Sequence, residues 1–98
     1  MRLSADSLAV WHTAVQYHAW HALGLLIVGT TGLHIEGSWL KAAGWLLLAG
    51  IALFSGSLYA LALGAPRALS VVTPVGGLAF ILGWLAFALA VIYARTPA

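Results

Sequence analysis

The chain has 98 residues, of which 63% are hydrophobic and 6% are charged. Because soluble domains carry charge on roughly a quarter of their residues, this composition excludes an ordinary soluble domain and predicts an integral membrane protein whose first partner is the lipid bilayer. The formal net charge of +2 is a small surplus spread over short segments, which argues against a nucleic-acid partner, and the chain has no cysteine for a disulfide or a thiolate-bound metal.

The charged residues divide the chain into three long uncharged stretches. These stretches have 29, 25 and 27 residues and cover residues 7–35, 42–66 and 68–94. A helix of about 20 apolar residues crosses a hydrocarbon core about 30 Å thick. We therefore predict an all-α fold, a polytopic transmembrane helical bundle with three membrane-spanning helices at about residues 5–32, 39–63 and 74–94. The whole chain, residues 1–98, then forms a single membrane domain and leaves no length for a soluble one.

The first predicted helix is mixed in character in its first half and apolar in its second. Ser4 or Asp6 can cap the free amides at its start, where an acidic side chain suits the positive end of the helix dipole. Tryptophan, tyrosine, glutamine and histidine follow among small residues, which predicts a helix that enters through the headgroup region. The second half, residues 22–31, is apolar apart from its threonines, so we expect it to lie deepest in the membrane.

Each of the other two predicted helices carries a row of small residues on one face. In the second helix the row recurs every four residues, at Ala52, Gly56, Ala60 and Gly64. The third helix is expected to begin with a cap followed by proline, Thr73 and Pro74, and its own row comprises Gly83, Ala86, Ala90 and Ala94. The hydrophobic effect does not drive helices together in lipid, so association depends on the close backbone approach that such rows allow. Both rows are therefore predicted helix-packing surfaces.

The basic residues that flank the predicted helices give no orientation. Arg2 and Arg67 would lie on one side of the membrane and Lys41 and Arg95 on the other, with residues 95–98 ending the chain in water. Positive charge in short loops normally marks the cytoplasmic side. Two basic residues against two favour neither orientation.

The four histidines are the most informative polar residues, because ionisable groups at membrane depth are costly and usually functional. His18 and His21 lie three residues apart on one helix face and are the candidates for binding a metal or a haem cofactor. A metal site needs further ligands, this stretch has no carboxylate, and a bis-histidine haem needs an imidazole from another helix or chain. We favour the interpretation that these rings are neutral and bond to backbone, water or a neighbouring helix, so no metal or cofactor is expected.

No constellation of residues indicates an enzyme. Asp6 and Glu36 are the two side-chain carboxylates, and they flank the first predicted helix at opposite ends, too far apart for general acid-base work. No Ser-His-Asp set is evident either, so no catalytic residues are expected. Ser55, Ser57 and Tyr59 could line a polar pathway, although serines in membrane helices usually bond to their own backbone or across a helix contact.

Several separate motifs resemble one known family. They are Ala14-Val15-Gln16-Tyr17-His18 with His21-Ala22-Leu23, Gly50-Ile51, the run from Leu53 to Tyr59, the run from Thr73 to Gly77, and Gly83-Trp84. In their residues and their order along the chain, these motifs resemble the YwdK-like family of small membrane proteins, labelled domain of unknown function four-two-three. The resemblance runs from about Leu3 to Ala94 and implies a multi-pass protein of the bacterial cytoplasmic (cell inner) membrane. Because members usually begin with a further apolar helix, we expect this chain to lack the family's usual first transmembrane helix.

Three functional hypotheses are consistent with these residues. The leading one is a non-enzymatic integral membrane protein that acts through helix packing, either by self-association or as an accessory component beside other membrane-protein subunits. One alternative is a haem- or metal-binding redox subunit that uses His18 and His21. Another is a small transporter or channel, which lacks a mid-membrane carboxylate or lysine to couple an ion.

Overall fold

The computed structural model describes residues 4–94, and over this range the chain forms three long helices joined by short turns. The first helix is Ala5–Thr31. The second helix, Ser38–Ala62, is α-helical over Ser38–Gly50, π-helical over Ile51–Ser55 and α-helical again over Gly56–Ala62. The third helix, Arg67–Ile92, begins with a 3₁₀ turn over Arg67–Val71 and is α-helical over Val72–Ile92. The predicted all-α fold class is confirmed.

Local hydrogen bonds determine where the first helix begins and where the second helix ends. The Ser4 hydroxyl accepts a hydrogen bond from the Ser7 amide at 3.1 Å and so caps the first helix. After the second helix, the Ala65 amide donates to the Ala60 carbonyl at 3.0 Å and the Gly64 amide to the Leu61 carbonyl at 3.1 Å. Gly64 has a φ of +104°, which is the left-handed conformation that this type of helix ending requires. Gly64 was predicted to belong to the packing row, but it lies beyond the helix end, where it reverses the chain.

The third helix begins earlier than the sequence predicted. Thr73 was expected to cap it and Pro74 to open it, but the α-helix already starts at Val72, after the 3₁₀ turn. Pro74 lies in the first turn, where its missing amide hydrogen removes no bond within the helix. The Thr73 hydroxyl faces the second helix instead and pairs with the Ser57 hydroxyl. The connection between the second and third helices is therefore shorter than expected.

Two of the helices between residues 4 and 94 are long and apolar enough to cross a membrane, as judged by length and composition. They are Ser38–Ala62, with 25 residues, and Arg67–Ile92, with 26 residues. At 1.5 Å per residue each is about 38 Å long, more than a hydrocarbon core of about 30 Å. The first helix has 27 residues, but the histidines and glutamine of its first half make it less apolar.

The core lies mainly between the second and third helices, which make the most extensive contact in the fold. Leu47 is fully buried and packs against Gly83, where an added β-carbon would lie 2.9 Å from the Leu47 side chain. At Gly76 an added β-carbon would collide with the backbone of Phe54. Glycine at these two positions therefore lets the second and third helices approach each other closely.

Large apolar side chains are exposed along all three helices, for example Leu26, Trp45, Ile81 and Ile92. Contiguous exposure of this kind is unfavourable in water. In a bilayer it is expected, because the hydrocarbon solvates these side chains.

The comparison of flanking charges uses two residues that lie outside the described residues, Arg2 and Arg95. The same holds for residues 95–98, which were expected to end the chain in water. Both statements therefore stay predictions from the sequence.

Substitution of Gly76 tests the close approach of the helices. We expect Gly76→Ala to lower the free energy of unfolding by about 1–3 kcal/mol, because the new β-carbon must displace the Phe54 backbone. Gly77→Ala is the matched control, since its β-carbon would lie 3.8 Å from the Phe54 ring, an ordinary contact, and alanine gains up to about 1 kcal/mol in helix propensity. Titration of detergent-solubilised protein with sodium dodecyl sulfate, followed by circular dichroism, measures both. Equal stability of the two variants would contradict the packing described.

Candidate functional site

An open groove beside His21 is the most distinctive site in the described part of the chain. Its volume is about 630 Å³, and its walls come from all three helices. Aromatic and other apolar side chains form most of the lining, which comprises Tyr17, His21, Phe54, Pro74, Gly77, Leu78, Phe80, Ile81 and Trp84. This composition and volume are typical of sites for small apolar ligands. We call this site the aromatic groove.

His21 is the buried polar residue of the aromatic groove, with 7% of its surface exposed. Its Nδ1 atom lies 2.7 Å from the backbone carbonyl oxygen of Tyr17. Because a carbonyl oxygen can only accept, Nδ1 carries the hydrogen and donates it. In the neutral ring, Nε2 is then an unprotonated acceptor with a free lone pair.

His21 lines the aromatic groove, and its Nε2 atom is neither fully enclosed nor hydrogen-bonded within the described residues. Within residues 4–94 no fully buried side-chain nitrogen or oxygen lacks a hydrogen-bond partner, and the one hydrogen bond that the structure gives His21 is through Nδ1. The imidazole stacks on the Phe80 ring, with centroids 3.6 Å apart and planes 13° apart, and Trp84 lies 5.8 Å away. The ring is thus fixed in one orientation with a free acceptor.

Two glycines make room for the aromatic rings that surround His21. An added β-carbon at Gly24 would lie 2.8 Å from the outer edge of the Trp84 indole, and one at Gly50 would collide with the Phe80 ring. Gly24 follows His21 on the first helix, and Gly50 is the last residue before the π-helical segment. The missing side chains let Phe80 and Trp84 lie against the neighbouring helices.

The π-helical segment Ile51–Ser55 places two adjacent residues in different surroundings. Phe54 lines the aromatic groove and contacts Tyr17, with ring centroids 4.6 Å apart. Ser55 is fully buried, and its hydroxyl donates to the backbone carbonyl of Ala14 at 3.0 Å. Single π-helical turns within α-helices occur frequently at functional sites. This segment shapes one wall of the groove and ties the second helix to the first.

His18 and His21 do not form a joint site, although the sequence placed them on one helix face. The exposed His18 lies with its Nδ1 atom 3.1 Å from the Tyr59 hydroxyl, at the end of the second helix. His21 packs on Phe80 of the third helix instead. Three residues along a helix differ by about 60° in direction, which is enough to turn the two rings towards different neighbours. No group of three or more histidine, cysteine or carboxylate side chains that could hold a metal occurs among the described residues.

The hydroxyl groups considered for a polar pathway are engaged in contacts within the protein. Ser55 bonds to Ala14, as described above, and Ser57 donates to the Phe54 carbonyl at 2.9 Å and pairs with Thr73. Tyr59 meets His18. These contacts fix neighbouring helices and turns against one another.

The two rows of small residues have different surroundings. Gly83, Ala86 and Ala90 of the third helix are buried against the rest of the chain. Ala52 and Gly56 of the second helix are exposed and Ala60 is half-buried. Within the described part of the chain, nothing lies within 4 Å of a β-carbon added at Gly56. We call Ala52, Gly56 and Ala60 the open ridge, because the protein's own helices leave most of it uncovered.

Comparison with known proteins identifies relatives along most of the chain. The sequence profile of the family described as protein of unknown function (DUF423) matches residues 1–77. The chain is 48% identical over 86 residues to UPF0382 membrane protein YwdK of Bacillus subtilis (strain 168). The alignment covers 87% of this chain and 70% of the relative. It is 49% identical over 88 residues to UPF0382 membrane protein SH2409 of Staphylococcus haemolyticus (strain JCSC1435). That alignment covers 86% of this chain and 68% of the relative. No solved structure matches.

These matches confirm the resemblance to the YwdK-like family that the motifs indicated. The relatives are named membrane proteins, and this chain has two helices apolar enough to span a bilayer. The protein is therefore a membrane protein.

The hydrogen bond from Ser55 to Ala14 generates a prediction about the site's stability. We expect Ser55→Ala to lower the free energy of unfolding by about 1 kcal/mol, since the variant loses a buried hydrogen bond between two helices. Ser70→Ala is the matched control, because Ser70 lies exposed in the 3₁₀ turn and should change stability by less than about 0.5 kcal/mol. Detergent-based unfolding followed by circular dichroism separates the two. A Ser55→Ala variant as stable as the control would argue against this contact.

Proposed function

Because the chain belongs to the DUF423 family, we propose that it is a multi-pass, three-span protein of the cell inner (cytoplasmic) membrane that acts through helix packing. In this proposal it has no enzymatic activity of its own. It works either by self-association or as an accessory component beside other membrane-protein subunits. The observation that carries the proposal is the open ridge.

The open ridge supports association because it has the form of a helix-packing surface without a partner in the chain. Its counterpart on the third helix is already buried, and Leu47 fills the space over Gly83. Gly56 has open space over its backbone instead. In lipid, helices associate where small residues permit close backbone contact. A second helix laid along this ridge would bury backbone that the monomer leaves to lipid.

The proposed third span is the first helix. It is 27 residues long, about 40 Å at 1.5 Å per residue, and its second half exposes Leu23, Leu26 and Ile27. The Thr31 hydroxyl donates to the Ile27 carbonyl at 2.7 Å, and the Thr30 hydroxyl also bonds within the helix. Polar groups satisfied within their own helix are compatible with hydrocarbon. These features favour a crossing despite the polar residues in the first half.

The positions of the carboxylates support a role without catalysis. Asp6 lies in the first turn of the first helix and Glu36 lies beyond its C-terminal end. Twenty-nine residues lie between them, about 40 Å for a chain that is mostly helical. General acid-base chemistry by a pair of carboxylates needs both groups at one substrate, so these two residues do not offer that arrangement.

Substitution on the open ridge tests the proposal. We expect Gly56→Leu to reduce the cross-linked oligomer or complex in native membranes at least about tenfold, because a leucine side chain holds a partner backbone away at a cost above about 1.4 kcal/mol. Ala88→Leu is the matched control, since Ala88 is a small exposed residue on the third helix, outside the ridge. Chemical cross-linking of both variants and the unaltered protein measures the effect.

Two results would contradict the proposal. Monomer alone in native membranes for the unaltered protein would remove its basis. An oligomer or complex that survives Gly56→Leu as well as Ala88→Leu would show that the ridge is not the packing surface.

A further inference from the structure

His21 combines burial with a free acceptor, and this combination identifies a class of ligand. The side chain is more than nine-tenths buried, and its Nδ1–H group is already bonded to the Tyr17 carbonyl. The polar atom that His21 leaves for a ligand is Nε2, which in the neutral ring accepts a hydrogen bond and donates none. A matching ligand must therefore bring a donor.

The aromatic groove also determines the shape of the ligand. The rings of Tyr17, His21 and Phe80 are nearly parallel, with interplanar angles of 6° for Tyr17 with His21, 13° for His21 with Phe80 and 15° for Tyr17 with Phe80. Walls of parallel rings favour a further flat ring, which stacks on them or meets their edges. No charged side chain lines this groove. An uncharged planar ring fits this lining better than an anionic or cationic ligand.

The groove is placed for a ligand that arrives from the bilayer. Leu78, Ile81 and Pro74 form part of its lining and are exposed on the outside of the third helix. Tyr17 lies near the middle of the first helix and Ile81 near the middle of the third, so this part of the lining lies within the hydrocarbon core if these helices cross the bilayer. A lipid-soluble ring with an apolar body can reach this depth from the hydrocarbon.

We propose that the aromatic groove binds a lipid-soluble aromatic ring that bears a hydroxyl group, of the quinol class, with the ring hydroxyl donating a hydrogen bond to His21 Nε2. Phe80 and Trp84 hold the imidazole in place, while Phe54, whose ring centroid lies 5.5 Å from that of Phe80, extends the apolar lining. Tyr17 adds a second ring wall and fixes the His21 tautomer through its carbonyl. A metal centre is a poorer match, since the described residues offer no group of three metal-ligating side chains. The proposal concerns binding and is independent of association through the open ridge.

The first test compares two ligands on the unaltered protein. The probe is decyl-benzoquinol, kept reduced, and the control is its dimethyl ether, which has the same ring and tail but no hydroxyl donor. We expect the quinol to bind the protein in lipid nanodiscs at least about tenfold more tightly than the ether, because the ether leaves Nε2 without a donor in a dry groove. Equilibrium dialysis against empty nanodiscs corrects for partitioning into lipid. Equal affinity of the two compounds would overturn the proposal.

The second test changes the protein. His21→Phe keeps a flat ring to stack on Phe80 but removes the acceptor, so it should lower quinol affinity at least about tenfold and leave ether affinity unchanged. His18→Ala is the matched control, because His18 bonds to Tyr59 and does not line the groove. If His21→Phe fails to fold, the ligand comparison still decides.

Two other results would overturn the proposal. One is quinol affinity unaffected by His21→Phe in a folded protein. The other is a Soret absorption band in protein purified from native membranes that disappears in His21→Phe, since that result would assign Nε2 to haem iron instead.

Discussion

The close approach of the second and third helices is the constraint on which the rest of the structure depends. In lipid the hydrophobic effect gives no reason for two apolar helices to touch, so contact requires shape. At Gly76, Gly83 and Gly50 the missing β-carbon admits the Phe54 backbone, the Leu47 side chain and the Phe80 ring, respectively. Each contact places a bulky group of one helix against a glycine of the other. Their spacing along both helices fixes the relative position of the two helices.

The same approach builds the aromatic groove. Because Phe80 lies over Gly50, its ring is held at the point where His21 of the first helix can stack on it. Phe54 is held by its backbone contact with Gly76, so its ring meets Tyr17. The first helix is joined to this pair through Ser55, whose hydroxyl bonds to the Ala14 carbonyl. The groove is therefore a consequence of how the helices pack, and its walls are fixed before any ligand arrives.

The sequence predicts the helices well and their contacts poorly, for physical reasons. Long apolar stretches between charges set the number and approximate ends of the helices, because backbone groups in lipid must be satisfied within a helix. The π-helical segment leaves no signal in composition, although it contains Phe54, whose backbone lies against Gly76 across a helix contact. Sequence spacing likewise placed His18 and His21 together, but the neighbours of each ring decide its direction. The packing role of Gly24 and Gly50 could not be predicted, because it depends on the aromatic ring that lies against each glycine, and the sequence does not show which ring that is.

The open ridge and the aromatic groove are compatible on geometric grounds. Phe54 lies in the π-helical segment and Gly56 begins the α-helical segment after it, and two residues along a helix of either kind point in roughly opposite directions. The helix that turns Phe54 towards the groove therefore turns Gly56 away from it, to the exposed side. A partner helix seated on the ridge would cover Ala52 and Gly56 and leave the groove open to lipid through the third helix. A membrane protein of this size can in this way associate through one face of its second helix and receive a small ligand at the other.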